Sequence, residues 1–340
     1  MRLLLAPALA AAVSLSACAG TAPAPPAPTA AAGFLARYVT HDGRVIRHDQ
    51  GGDIVSEGQA YAMLLAEAAG RPERTRAVWS WTAAHLRRPD GLFAWHATRS
   101  GRVEDPQSAT DADVLIAYAL LRYTGPGADE LRSEGRRTAA AVLTNEAVAL
   151  PGGAPLLVAG PWAASASPPV VNPSYLMPGV FEALGRLTGD DRWTRAAAAA
   201  VAAIHELTDG GRRLPPDWAV LSGGRLVAAP APGGGTAAGY GQDAARLPVW
   251  FATACDPGAR RIAAGWWRDG LSAGDPAGVS PLGLIARSAA AAAAGARPVA
   301  GRLRRRAAGL AARAPTYYGD AWAALGPALL DGSIDQCRGS

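Results

Sequence analysis

No lysine occurs in the 340-residue chain, and all 33 basic residues are arginine. Against 28 acidic residues they leave a formal charge of +5, but alanine, glycine and proline are just as over-represented, so the charge reads as compositional bias. It is not evidence of a surface built for a polyanion. The densest basic run, Arg302 with Arg304, Arg305 and Arg306, has no aromatics between its charges. We read it as a solvated helix face and expect no nucleic-acid partner. Cysteine is nearly absent, with Cys18, Cys255 and Cys337 the full set. Export would permit a bond between the last two, although Cys255 follows an apolar stretch and reads equally as a buried thiol, with Cys337 in a terminal tail. Histidines 41, 48, 85, 96 and 205 show no ligand spacing with cysteines or acids, so neither a metal nor a cofactor is expected.

At the N-terminus, Arg2, a Leu/Ala run and small residues ahead of Cys18 have the layout of a signal segment over 1–17. The stretch Leu15-Ser16-Ala17-Cys18 resembles the lipobox of bacterial lipoproteins, which implies lipidation at Cys18, a membrane association through that lipid alone, and a periplasmic or outer-membrane location. Residues 18–32, rich in Ala, Pro and Thr, are expected to form a tether, and a single catalytic domain is expected over 33–340.

The body is predicted to be all-α. Apolar residues recur at three- and four-residue spacing over 57–69, 74–86, 112–123, 130–143, 174–187, 191–206, 243–254, 259–270, 280–294, 299–313 and 317–330. Gly70 and Gly189 fall at C-caps, and Asn172-Pro173, Asp256-Pro257 and Pro315-Thr316 stand at helix starts. Residues 40–46 read as a short hairpin.

Three of the helix starts are acidic. Ser56-Glu57-Gly58-Gln59 places Glu57 in a first turn, with Ser56 as N-cap and Gln59 reaching back in a capping box. There the helix dipole favours a charged carboxylate, whereas a proton donor needs its pKa raised by burial or another carboxylate. Thr110-Asp111-Ala112-Asp113 repeats the pattern with Thr110 as cap; Asp111 and Asp113 point different ways, and Asp113 is assigned to charge compensation. Asp243 opens a third helix with Arg246 at i+3. Helices whose acidic ends converge would line one cleft. Trp95, Trp162, Tyr175, Trp218 and Tyr240 lie at the intervening breaks, where aromatic faces can stack on sugar rings.

In order, the blocks at 56–65, 109–121, 172–175, 216–219 and 243–246 resemble glycoside hydrolase family 8, over nearly the whole chain from Asp42 to 317–325. The resemblance is greatest to the endoglucanases encoded with bacterial cellulose synthase. It implies an (α/α)6 barrel, a groove for β-1,4-linked glucan and an inverting mechanism. Position by position, Glu57 is expected as general acid, Asp243 as general base and Asp111 as the residue that binds and distorts the sugar between them. Trp95, Trp162, Tyr175, Asp217, Tyr240 and Arg246 are expected to bind substrate. The implied partners are a β-glucan polysaccharide and a cellulose synthase complex. Gln242 stands where the family commonly has a tyrosine, and Tyr123 with the turn after it also departs from the pattern. Xylan, mixed-linkage glucan or chitosan as substrate, or a glucan-binding protein without activity, are the alternatives left open.

Overall fold

The computed structural model describes residues 26–234 and 238–337. The signal segment over 1–17 and Cys18 lie outside them. Thirteen α-helices are present among the described residues, labelled in chain order α1 (Ala27–Tyr38), α2 (Ser56–Ala68), α3 (Pro72–His85), α4 (Thr110–Arg122), α5 (Ala128–Asn145), α6 (Pro161–Ala164), α7 (Pro178–Thr188), α8 (Asp191–Leu207), α9 (Leu247–Ala252), α10 (Pro257–Trp266), α11 (Pro281–Ala293), α12 (Arg297–Arg313) and α13 (Tyr317–Leu330).

Packing closes six of these into a ring, each touching the next in the order α2, α4, α7, α9, α11, α13 and back to α2. The other long helices back onto the ring from outside: α3 on α2, α5 on α4, α8 on α7, α10 on α9, α12 on α11 and α1 on α13. This is an (α/α)6 barrel. Burial separates the two layers as the sequences require. In α4 every residue from Thr110 to Leu121 is buried, whereas its outer partner α5 buries only Leu131, Gly135, Thr138, Ala139, Val142 and Leu143. A helix apolar on all sides can be satisfied only inside, and an amphipathic one only on a surface.

Helix α1 starts at Ala27, ahead of the boundary expected at Gly33, and buries Ala27, Ala31, Phe34, Leu35 and Tyr38. Residues 27–32, expected in the tether, are therefore part of the folded body. Ala and Pro lack long side chains to immobilise, so an alanine-rich stretch joins a helix at little entropic cost once a neighbour covers it.

Helix entry also differs from expectation at the two acidic starts. Val55 and Ala109, not Ser56 and Thr110, occupy the N-cap positions, and neither start carries a side-chain cap. Gln59 does not reach back. It is fully buried, its Oε1 accepts from the Val45 amide at 2.7 Å, and its Nε2 donates to the Gly43 carbonyl at 3.1 Å and Thr82 Oγ1 at 2.8 Å. Residues 40–46 form a minimal hairpin, as expected, closed by the antiparallel Val39 to Val45 bridge and by the Thr40 amide, which donates to the Arg44 carbonyl at 2.9 Å. The segment expected as a helix from 243 is a 3₁₀ turn, Ala244–Arg246, running into α9.

Eight short strands, which the sequence did not suggest, lie in the connections. In chain order β1 (Ile54–Val55), β2 (His96–Ala97) and β3 (Val103–Asp105) form one antiparallel sheet; β4 (Ala147–Ala149) pairs with β5 (Pro155–Leu157); β6 (Val170–Val171), β7 (Ala219–Ser222) and β8 (Arg225–Ala228) form another. Cys255 and Cys337 are joined in a disulfide that ties the tail after α13 to the start of α10. No helix among the described residues is long and apolar enough to cross a membrane.

Candidate active site

The first sheet builds one wall of the cleft. Pairing of Val55 with His96 brings the entry of α2 beside the strand that follows Trp95, and the Ser56 amide donates to the Trp95 carbonyl at 3.0 Å. Glu57 thus projects from the first turn of α2 into an open space of about 330 Å³, shared with Trp95, Asp111, Tyr175, Gln242, Asp243, Arg246, Arg47, Tyr317 and Tyr318. Gly58 behind it is a packing requirement, since a Cβ there would stand 2.6 Å from the Tyr317 hydroxyl.

Arg246 organises the site. Its Nη1 donates to Glu57 Oε1 and to Asp111 Oδ2, both at 2.7 Å, and its Nη2 donates to Asp243 Oδ1 at 3.0 Å. All three acids expected at helix starts are therefore brought together, on one guanidinium that is itself only 4% exposed. Its plane lies over the Tyr175 ring, 5.3 Å from the centroid, which fixes the fork. Asp243 is the most open of the three acids, with 35% of its side chain exposed, and its second oxygen accepts from Asn172 Nδ2 at 3.0 Å. Glu57 accepts a further bond from the Tyr61 hydroxyl at 2.7 Å, one turn along α2.

Electrostatics differentiate these acids. Burial pushes Glu57 up to about 7, the Arg246 charge opposes it, and Asp111 raises it further. Burial also raises Asp111 against the pull of Arg246. One guanidinium bonded to three carboxyls leaves an excess of negative charge if all ionise, since Arg47, on the same space, is paired with Asp53, and this favours the protonated form of the raised Glu57. The dipole preference for a charged Glu57 is outweighed by desolvation.

Beyond Trp95 and Tyr175 the cleft continues into a second space of about 680 Å³, lined by Trp162, Trp218, Gln107 and Ala231. Trp95, at 36% exposure, forms the divide and is backed by the His96 ring at 4.9 Å, which is anchored in turn by Asp53 at 2.9 Å. An exposed tryptophan held flat by a hydrogen-bonded neighbour is a preorganised apolar platform.

Two residues expected to bind substrate are placed elsewhere. Asp217 turns away from the cleft, and its Oδ1 accepts from the amides of Gly241 and Ala244 at 3.0 and 2.7 Å, so it shapes the turn that presents Asp243. Its neighbour Trp218 takes the position on the groove, because adjacent residues at a strand end point to opposite sides. Tyr240 is largely buried with its hydroxyl enclosed and lines neither space. Asp113, assigned to charge compensation, is fully buried and faces the opposite side of α4 from the cleft. The roles of Asn172, Tyr61, Arg47 and Tyr318 escaped the sequence reading. Asn172 read as a helix cap, which its Oδ1 also is, accepting from the Ser174 amide at 3.1 Å. The other three lacked a local signal.

Residues 4–262 match the model of glycosyl hydrolases family 8. A probable endoglucanase of Novacetimonas hansenii is 32% identical over 67% of this chain and 68% of its own length. Endoglucanases of Cellulomonas uda and Xanthomonas axonopodis pv. citri are 29% and 32% identical, and the chain spans only 54% and 58% of their lengths. Among solved structures, the endo-β-1,4-glucanase CMCax of Acetobacter xylinum superimposes with a TM-score of 0.72 at 24% identity, covering 91% of this chain and 98% of that one. A β-1,3-1,4-glucanase of Paenibacillus sp. X4 reaches 0.78 at 22% identity, over 90% and 91%. Family match, relatives and barrel agree: the chain is a glycoside hydrolase and belongs to glycosyl hydrolases family 8.

Proposed function

We propose that this glycoside hydrolase is an endo-1,4-β-glucanase that cleaves cellulose-like chains with inversion of configuration. The observation that carries the reading is the group of three carboxyls around Arg246, in which Glu57 retains a proton near neutrality while Asp243 stands open to the cleft. Glu57 donates its proton to the leaving glycosidic oxygen. Asp243, held by Arg246 and Asn172, takes a proton from the water that attacks the opposite face of the sugar. Asp111, whose oxygen shares Nη1 of Arg246 with Glu57, grips the ring at the point of cleavage. Trp95, Tyr175, Trp162 and Trp218 carry the neighbouring glucosyl units on their faces. The endo mode follows from a cleft that continues past the acids on the aromatic side.

Support for the β-1,4 linkage comes from relatives and neighbours named endoglucanase or endo-β-1,4-glucanase. A second reading, mixed-linkage β-glucan, is favoured by the same barrel in a β-1,3-1,4-glucanase and by the exposed Gln242 beside the base. We further propose a signal segment over 1–17 with lipidation at Cys18, export to the periplasm or outer membrane, and work beside a cellulose synthase complex. The Cys255 to Cys337 bond supports export, since such bonds persist in oxidising compartments.

Anomeric configuration followed by NMR during cello-oligosaccharide cleavage tests the mechanism. The α-anomer as first product is expected, with its formation slowed by orders of magnitude in Glu57→Gln and Asp243→Asn. A β-anomer first, or full activity in either variant, removes the assigned roles. Reducing-end release across cellulose derivatives, mixed-linkage glucan, xylan and chitosan separates the substrates.

A further inference from the structure

Behind Asp111, on the far side of α4, lies a second acidic pair that the proposed reaction does not use. Asp113 and Glu146 are both fully buried. Oδ1 of Asp113 accepts from the Phe93 amide at 3.0 Å, and Oε1 of Glu146 accepts from the Ser108 hydroxyl at 2.7 Å. The remaining oxygens, Asp113 Oδ2 and Glu146 Oε2, are sealed from solvent with no well-formed hydrogen bond; the two carboxyls are within reach of each other, and the Thr110 hydroxyl is the one further neutral donor beside Glu146. Two dry carboxylates held side by side repel strongly, and one proton between them converts repulsion into a short charge-assisted bond. The surroundings supply no counter-charge in its place. Asp111 on α4 is another acid, Ser108 and Thr110 are neutral, and Arg88, which feels both carboxyls, is committed to Asp90 and the Pro106 carbonyl. Among the described residues no cluster of three or more His, Cys, Asp or Glu side chains could hold a metal ion there.

The position of this pair gives it a task. Asp113 sits two residues after Asp111 on α4, and through the Phe93 amide it grips the segment that leads into Trp95. Glu146, at the end of α5, grips Ser108, just ahead of the α4 entry. We infer that Asp113 and Glu146 share a single proton, and that this carboxyl pair is the positioning element that sets Asp111 and the Trp95 platform relative to each other. Burial supports the sharing, since it raises Asp113 well above the usual carboxylate range and Glu146 to about 8.

Infrared spectroscopy of the full chain in a Glu57→Gln background, which removes the proposed proton donor, tests the sharing without reference to activity. At pH 7 a carbonyl band of a protonated carboxylic acid, shifted in deuterated water, is expected, and its frequency is expected to move on adding either Asp113→Asn or Glu146→Gln, because the remaining acid no longer shares its proton with a carboxylate. A band left unmoved in either variant overturns the shared proton. The positioning role rests on the hydrolase reading and is tested by kinetics. Asp113→Leu is expected to lower kcat roughly tenfold or more with little change in KM, and Asp113→Asn, which can donate its amide to Glu146, recovers most of the loss. In an Asp111→Asn background the Leu substitution is expected to add little. Full multiplicative loss in that background overturns positioning through Asp111. If Asp113→Leu does not fold, Glu146→Met makes the same comparison. Wild type inactive on every β-glucan would sink the hydrolase reading and leave the infrared result standing.

Discussion

Arg246 brings one positive charge into a space holding three carboxyls, and that imbalance sets the chemistry at the residue scale. Because Glu57 is raised to about 7 in the free enzyme, kcat/KM is expected to fall as pH rises through that value, where the proposed donor loses its proton. Glu57→Gln is expected to cost about 10²- to 10⁴-fold in kcat and to abolish that alkaline limb, which a pH-rate profile on an oligosaccharide would read. The same shift affects stability with the opposite benefit. A carboxyl whose folded pKa exceeds its unfolded one favours the folded state when protonated, so stability declines from about pH 4.5 to about pH 7, and the Gln variant flattens this window in melting curves. Arg246→Met leaves buried carboxylates without their cation and is expected to destabilise the fold by about 3 to 5 kcal/mol at neutral pH, less in acid. Denaturant titration at pH 5 and pH 8 would check both the size and the direction.

At the scale of elements, short connections rather than long helices decide where the acids point. Asp217 holds the Gly241 and Ala244 amides and so fixes the turn bearing Asp243. Gly241 leaves room for this arrangement, as a Cβ would lie 2.1 Å from Asp217 Oδ2 and displace that carboxylate. Asp217→Ala is expected to reduce kcat by roughly tenfold or more while leaving KM nearly unchanged, and Asp217→Asn to recover part of it. A rise in KM alone would indicate direct substrate binding instead. Gln59 works likewise on the opposite wall, tying α2 to the 40–46 turn and to α3. Replacing it by leucine strands buried backbone groups at Val45 and Gly43 and is expected to cost about 2 to 3 kcal/mol, measured by chemical denaturation. The helices bearing these residues were legible in the sequence because their apolar periodicity is local; α13 was expected at 317–330 and is found there. The caps were not. Ser and Gln at a helix start are compatible with a capping box, but the 40–46 turn and α3 together offered Gln59 three buried partners, and those outweigh one exposed cap.

For the whole molecule, ring closure places Tyr317 and Tyr318 of α13 beside Glu57 of α2, so the site is complete only when the last inner helix meets the first. The disulfide braces the tail that follows this helix. Cys337→Ser is expected to lower stability by about 2 to 4 kcal/mol without changing kcat, and reductant should bring wild type to the same melting temperature. Equal melting with and without reductant would contradict this. The aromatic groove runs across several elements as well, and Trp162→Ala is expected to raise KM for long oligosaccharides by roughly fivefold, about 1 kcal/mol, with short ones affected less.

The sequence by itself determined the helical class, the approximate positions of the helices and the three acidic segments, because composition, period and helix punctuation are properties of neighbours along the chain. It also established that Asp111 and Asp113 must diverge, since residues two apart on a helix point different ways. Only the tertiary structure decided which of them enters the cleft, that Asp217 serves the backbone and Trp218 the groove, and that Asp113 meets Glu146 from another helix. Those outcomes depend on contacts between segments far apart in sequence, where burial and the charges brought by other helices, rather than local propensity, determine what each carboxyl does.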